Sequence, residues 1–164
     1  MHGSNDEEAR YGAAAVESAA DPANWEIWPA PERHAEALYQ RFPEFTCLCP
    51  RSDYPDFAVV HLVTVPGRKV VELKHLKLWF NSFRDRRISH ELATAEIVDT
   101  LTTVLDPHYV FVLMEYTPRG NLTTVPMVEF QHPRTGDVHA DDPVRFALEN
   151  ARHVKRRLID RVVG

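Results

Sequence analysis

Large apolar side chains are sparse over the first two dozen residues and then recur in blocks whose period changes along the chain. Met1 to Ala23 is rich in Ala, Glu, Ser and Asp, so it buries too little to offset the entropy of ordering and is predicted to be a disordered tail. Order is expected to begin near Trp25 and Trp28. His34 to Phe42 has helical propensity, yet it runs into Phe45-Thr-Cys-Leu-Cys49, and one long strand through both fits equally; periodicity leaves the two open. Phe57 to Val65 is dense in β-branched residues and reads as a strand closed by Pro66-Gly67. After Lys69-Val-Val-Glu72 a helical pattern follows, with Leu73, Leu76, Leu78, Phe80 and Phe83 spaced to bury one side. Ser89 is placed to cap a second helix running to about Leu105, with Ile97, Leu101, Val104 and Leu105 as its apolar stripe and Asp106-Pro107 as its stop. Tyr109–Tyr116 and Leu122–Phe130 read as a hairpin about Thr117-Pro-Arg-Gly-Asn121, and the stretch from Gln131 to Asp142 reads as a loop. A last helix starts at Asp142 and Pro143, buries Ala147, Leu148, Ala151, Val154, Leu158 and Val162, and carries Arg145, Arg152, Lys155, Arg156 and Arg161 on its other face.

Strands grouped around a pair of helices indicate an α+β fold with an antiparallel sheet, not alternating βαβ units. The 164 residues suffice for one domain with a real core. No apolar run reaches the roughly 20 residues of a membrane span, and no signal peptide is recognised at the start. The two cysteines, Cys47 and Cys49, stand too close to close a useful loop, which fits a reducing, cytoplasmic setting. A net charge of −5 argues against a general nucleic-acid binder and leaves room for a local basic pocket. The basic side chains of the last helix fit a solvated face better than a nucleic-acid surface. Six glycines with no G-x-G-x-x-G after any strand exclude a Rossmann site.

Chemistry concentrates around Cys49-Pro-Arg-Ser-Asp-Tyr-Pro-Asp56. A turn-rich segment there separates a thiol from a carboxylate, so that two strands can present both groups to one bound molecule as nucleophile and proton donor. A cysteine at a strand end is more often a small buried hydrophobe. Cys47, two residues earlier, points to the same side of a regular strand, where it either packs or oxidises with Cys49.

Phe45-Thr-x-Leu-Cys-Pro50, Pro55-Asp-Phe57, Val71-Glu-Leu-Lys-x-Leu-Lys-Leu78, Ser82-Phe-Arg84, His90-Glu91, Asp106-Pro107 and Thr117-Pro-Arg-Gly120 occur in one order and spacing. Together they closely resemble the NADPH-dependent 7-cyano-7-deazaguanine (preQ0) reductases of queuosine biosynthesis, the QueF family, in its short single-module form. The resemblance runs from about Phe42 to Pro133. It implies the tunnelling fold, a four-stranded antiparallel sheet with two helices on one face (ββααββ), here spanning residues 24–140 with an appended helix over 141–164.

The resemblance further implies Cys49 as the nucleophile that forms a thioimide with the nitrile and Asp56 as proton donor. It places Val71, Glu72, Leu73, His90 and Glu91 against the substrate, with Glu91 accepting two hydrogen bonds from the guanine-like edge of the base. Lys74, Lys77 and Arg84 become the candidates for NADPH phosphates. No metal, nucleic acid or membrane is implied as a partner. Self-association is, as a ring-stacked decamer of two pentamers with sites at subunit boundaries. Left to themselves, Glu91 reads as an ordinary first-turn acid and the lysines as a solvated basic face. Leu73 stands where many members carry serine, as does Cys47. Competing readings are a zinc-dependent cyclohydrolase of the same fold using Cys47, Cys49 and a histidine, for which Cys-x-Cys is poor spacing; an amidine-forming enzyme using the same thioimide; and a non-catalytic deazapurine-binding module.

Overall fold

The computed structural model describes residues 12–31, 34–136, 138–139 and 141–164. Four strands form the main sheet: β2 (Leu38–Leu48), β3 (Pro55–Val65), β5 (Tyr109–Tyr116) and β6 (Met127–Gln131). They lie in the order β2-β3-β5-β6, every neighbouring pair antiparallel. A second, two-stranded sheet joins β1 (Ile27–Pro29) to β4 (Lys69–Val71). Helices α2 (Leu73–Asn81) and α3 (His90–Leu105) fill the stretch between β4 and β5, so the ββααββ order holds.

The segment left open between helix and strand is strand. Residues 38–48 form one β2, with a register irregularity between Phe42 and Phe45 around Pro43. Pairing along the whole of β3 outweighs helical propensity there, and the irregularity accommodates a proline that lacks a ladder donor. The second hairpin strand begins at Met127 instead of Leu122. Arg119 and Leu122 instead bond each other across Gly120 and Asn121, and Pro126 lies just before β6.

Alternation along β3 divides two cores. Ala58, Val60 and Leu62 face α2 and α3, meeting Leu76, Trp79, Phe80, Ile97 and Leu101. Val63 and Val65, with Tyr109, Phe111 and Leu113 of β5, face the other way and are covered by Ala147, Leu148, Ala151 and Leu158 of α4 (Pro143–Val162). The appended helix therefore docks on its own sheet. Caps fall where expected. The Ser89 hydroxyl accepts from the Leu92 N–H and the Asp142 carboxylate from the Val144 N–H. Asp106 ends α3 in the left-handed region, with φ of 47°. Gly67 is required in the turn beside it, because a Cβ there would come within 2.4 Å of the Asp106 carbonyl oxygen.

Two expectations are corrected. Gly12 to Ala23 is not a disordered tail: Ala13–Ala20 forms α1, which packs beside α2. Small alanines allow that close approach, and the Trp25 indole N–H anchors the helix end by donating to the Ala19 carbonyl at 2.9 Å. Met1 to Tyr11, the rest of that tail, lies outside the described residues. Leu73 leaves the buried stripe of α2 and is 64% exposed. At the first helical position its side chain lies off the core-facing turn that Leu76, Leu78, Trp79 and Phe80 form. No helix among the described residues is long and apolar enough to cross a membrane.

Candidate active site

The hairpin from β2 to β3 builds the site. Cys49 donates its N–H to the Tyr54 carbonyl at 2.8 Å, and Asp53 donates to the Cys49 carbonyl at 3.2 Å from a left-handed conformation. This tight loop places Cys49 just beyond the end of β2, half-buried. Cys47 is the direct cross-strand partner of Asp56. Cys49, two residues on and just past the paired register, lies close enough to Asp56 for that charge to act on its thiol. The Ser52 hydroxyl, then the Arg51 and Ser52 backbone N–H groups, hold the Cys49 thiol below its ordinary range. It is thus the accessible thiol with thiolate character. Cys47 is fully buried with its sulfur on the Ile88 carbonyl, and burial together with the Asp56 charge pushes its thiol up to about 11. Cys47 therefore packs.

Asp56 is 5% exposed and is met from two sides. The Arg119 Nε lies 2.9 Å from its Oδ1, and the His90 Nε2 lies 3.4 Å from its Oδ2. His90 opens α3 and stacks on Tyr116, with centroids 3.7 Å apart and planes 13° from parallel. Tyr116, opposite Ala58 across β3 and β5, lines the base of the site. Burial drives its hydroxyl strongly up, so it stays a neutral phenol. Glu91 is exposed on the first turn of α3, and its own backbone N–H and the Ser89 hydroxyl hold its carboxyl below the usual range. Its charge lies close enough to act on Tyr116.

One chain thus brings Cys49, Asp56, His90 and Glu91 together. Val71, Glu72 and Leu73 are elsewhere, at the end of the molecule where β4 packs against Thr64, Leu101 and Leu105. Eight residues of β3 separate Asp56 from Thr64, roughly 26 Å of strand. Glu72 caps α2 there, accepting from the His75 backbone N–H at 3.1 Å and lying 3.2 Å from His75 Nδ1. Burial raises its carboxyl, but the Lys74 and His75 N–H groups outweigh that and leave it below the ordinary range. Lys74 and Lys77, three apart on α2, lie on adjacent positions of one face, an arrangement suited to paired phosphates. Arg84 sits past the end of α2, lining a cavity of about 530 Å³ with α1 residues Val16 and Glu17.

Arg119 and Tyr116 are site residues that sequence alone did not single out. Arg119 lies in the Thr117-Pro-Arg-Gly120 motif, and no spacing rule links residue 119 to residue 56.

A family model described as QueF-like protein matches residues 55–135. The NADPH-dependent 7-cyano-7-deazaguanine reductase of Aquifex aeolicus is 47% identical over 119 residues, covering 72% of this chain and 89% of that protein. The protein of the same name from Nitratiruptor sp. is 47% identical over 116 residues, covering 71% of this chain and 88% of its own. Among solved structures, the apo archaeosine synthase QueF-Like superposes with a TM-score of 0.52 at 21% identity, over 60% of this chain and 95% of that one; it supports the fold alone. The cyclohydrolase and amidine-forming alternatives give way to the closer resemblance. The chain belongs to the family of NADPH-dependent 7-cyano-7-deazaguanine reductases.

Proposed function

We propose that this protein reduces the nitrile 7-cyano-7-deazaguanine to the primary amine 7-aminomethyl-7-deazaguanine, with NADPH as reductant, in the biosynthesis of queuosine. One observation carries this beyond family membership: the accessible, thiolate-prone Cys49 lies within reach of the charge on the buried carboxylate of Asp56.

A nitrile carbon is a poor hydride acceptor. Attack by the Cys49 sulfur converts it to a thioimide and divides one difficult step into easier ones. The nitrogen gains a proton as the S–C bond forms, and Asp56 is the group placed to deliver it. His90 stays at hydrogen-bonding range of Asp56, held in plane by Tyr116. Glu91 accepts from the N–H edge of the base and so rejects purines lacking those donors. The chain offers Lys74, Lys77 and Arg84 for the cofactor's phosphates; bound NADPH supplies hydride for each of two reductions.

The substrate-contacting segment Val71–Leu73 lies far from Cys49 within a chain, so we infer that a second copy completes each site. Among the described residues the outer edges of β2 and β6 pair with no further strand, apart from a single bridge of Leu48 to Arg87, and such edges are commonly paired between chains. A closed ring of copies, stacked into a decamer, would satisfy both features, and sedimentation at working concentration tests it.

The decisive experiment mixes protein, 7-cyano-7-deazaguanine and NADPH. Two equivalents of cofactor should be oxidised per nitrile, and Cys49→Ala should abolish both this and the covalent adduct seen by intact mass. Turnover persisting in Cys49→Ala would overturn the mechanism.

A further inference from the structure

Arg119 is held with unusual definition for an exposed-loop arginine. Gly120 and Asn121 have φ of 55° and 64°, the two positive values of a type I′ turn, and Arg119 and Leu122 exchange both backbone hydrogen bonds across it at 3.0 and 2.9 Å. The Thr117 N–H donates to the Phe57 carbonyl and ties this small hairpin to β3 beside Asp56. From there the guanidinium takes three contacts: Nε on Asp56 Oδ1, an NH2 donation to the Pro55 carbonyl at 2.7 Å, and a position over the Tyr54 ring with 5.4 Å to its centroid. Two of the three partners, Asp56 and Pro55, belong to β3, and Tyr54 immediately precedes it.

We propose that Arg119 is a positioning residue that fixes the charge and orientation of the Cys49–Asp56 pair, so that the pair enters the reaction holding a single shared proton. The inference rests on the thioimide reading above. With one proton on the pair, addition needs no outside acid. The Cys49 S–H bond breaks as its proton passes to the Asp56 carboxylate. The S–C bond forms, the C≡N triple bond becomes C=N, and the Asp56 proton ends on nitrogen. Nothing is oxidised or reduced in this step, and Asp56 returns to the carboxylate that Arg119 pairs.

The groups facing the pair are Arg119 from the hairpin, His90 from the start of α3, Cys47 from β2 and Tyr116 from β5, with Glu91 acting in turn on Tyr116. Arg119 is the permanent cation among them. A singly protonated pair gives a bell-shaped pH dependence, its acid limb reporting loss of the first proton and its alkaline limb the second. Removing a cation disfavours both ionisations, so both limbs move the same way, toward higher pH.

The test is single-turnover formation of the covalent adduct with 7-cyano-7-deazaguanine, without NADPH, followed by thioimide absorbance and intact mass from about pH 5 to about pH 10. Arg119→Gln is expected to shift both limbs upward by roughly one unit or more. At the acid flank its rate then falls about tenfold or more against the wild type, while at the alkaline flank it matches or exceeds it. Arg119→Lys, which keeps a charge without the fork, should return the limbs most of the way. A lower rate in Arg119→Gln with unmoved limbs would overturn the proposal, leaving Arg119 a structural prop. So would faster adduct formation on the acid flank, the mark of an Asp56 that must begin protonated without help. Absence of adduct in the wild type at any pH would instead overturn the thioimide reading itself. Circular dichroism melting of each variant identifies a change in height caused by misfolding, which does not move the limbs.

Discussion

Two thiols two residues apart on one strand have opposite chemistry because one ends inside the sheet and the other just past it. Cys47 is enclosed, beside a carboxylate and with its thiol near pH 11; Cys49 meets a hydroxyl and two backbone donors. Iodoacetamide at neutral pH is therefore expected to label Cys49 alone, in one equivalent. A peptide map with modified Cys47 in folded protein would contradict the assignment. Glu91 carries a second residue-scale expectation. Glu91→Gln keeps the shape but replaces one acceptor by a donor, and should cost about ten- to a hundredfold in kcat/KM for the nitrile base. A purine lacking the exocyclic amine should lose much less, and equal losses on both would make Glu91 only a first-turn acid. The chemical residues were legible because their order along the chain is a pattern. The contacts were not: Arg119 reaches Asp56 across 63 positions of sequence, and the stacking of His90 on Tyr116 depends on the register of β3 with β5.

Patterns resolved elements well where local chemistry decides and poorly where pairing decides. Ser89, Asp142 and the proline after Asp106 marked helix ends because caps act within one turn. β2 remained open because its conformation comes from β3, and α1 went unseen because alanines carry almost no amphipathic signal. The second core was half visible: the apolar stripe of α4 was plain, but which face it covered was not. Leu148, 3% exposed against the sheet, gives that contact a measure. Leu148→Ala should cost about 2–4 kcal/mol in chemical denaturation, while a helix docked elsewhere would cost much less. His61, on the same sheet face, adds a pH dependence. It is 1% exposed, its Nδ1 sits 2.8 Å from the Tyr39 hydroxyl, and burial, with Arg161 of α4 next, holds its pKa below the ordinary histidine value. The unfolded chain then binds more protons than the folded one as pH drops through the unfolded histidine range near 6.5, so stability is lost on acidification and is fully present above it. His108, also lowered by burial, acts in the same window. The melting temperature should fall from about pH 7.5 to about pH 5.5, and His61→Phe should flatten part of that fall. An unchanged slope in His61→Phe would show that its burial has no titrational consequence.

At the scale of the whole molecule the two halves of the expected substrate shell sit at opposite ends of one sheet. Cys49, Asp56, His90 and Glu91 gather where β2 turns into β3, while Val71, Glu72 and Leu73 lie where β3 ends. No side-chain motion spans eight residues of strand, so a chain acting alone holds only half of that shell. In the proposed ring, a second copy placed edge to edge would bring the far end of one chain to the near end of the next, and closure of that head-to-tail contact would complete the assembly. The consequence is complementation. Cys49→Ala lacks the nucleophile and Glu72→Gln weakens the other half-shell, and each alone should be impaired. After dissociation, mixing and reassembly in equal amounts, roughly a quarter of the junctions join the intact Cys49 of one chain to the intact Glu72 of its neighbour. NADPH oxidation should return to about that fraction of the wild-type rate. Mixing without dissociation should add nothing to the residual activity of Glu72→Gln, which separates exchange of subunits from slow repair of either variant. If both halves of the site belonged to one chain, no mixture would ever recover activity, and the shared site would have to be abandoned.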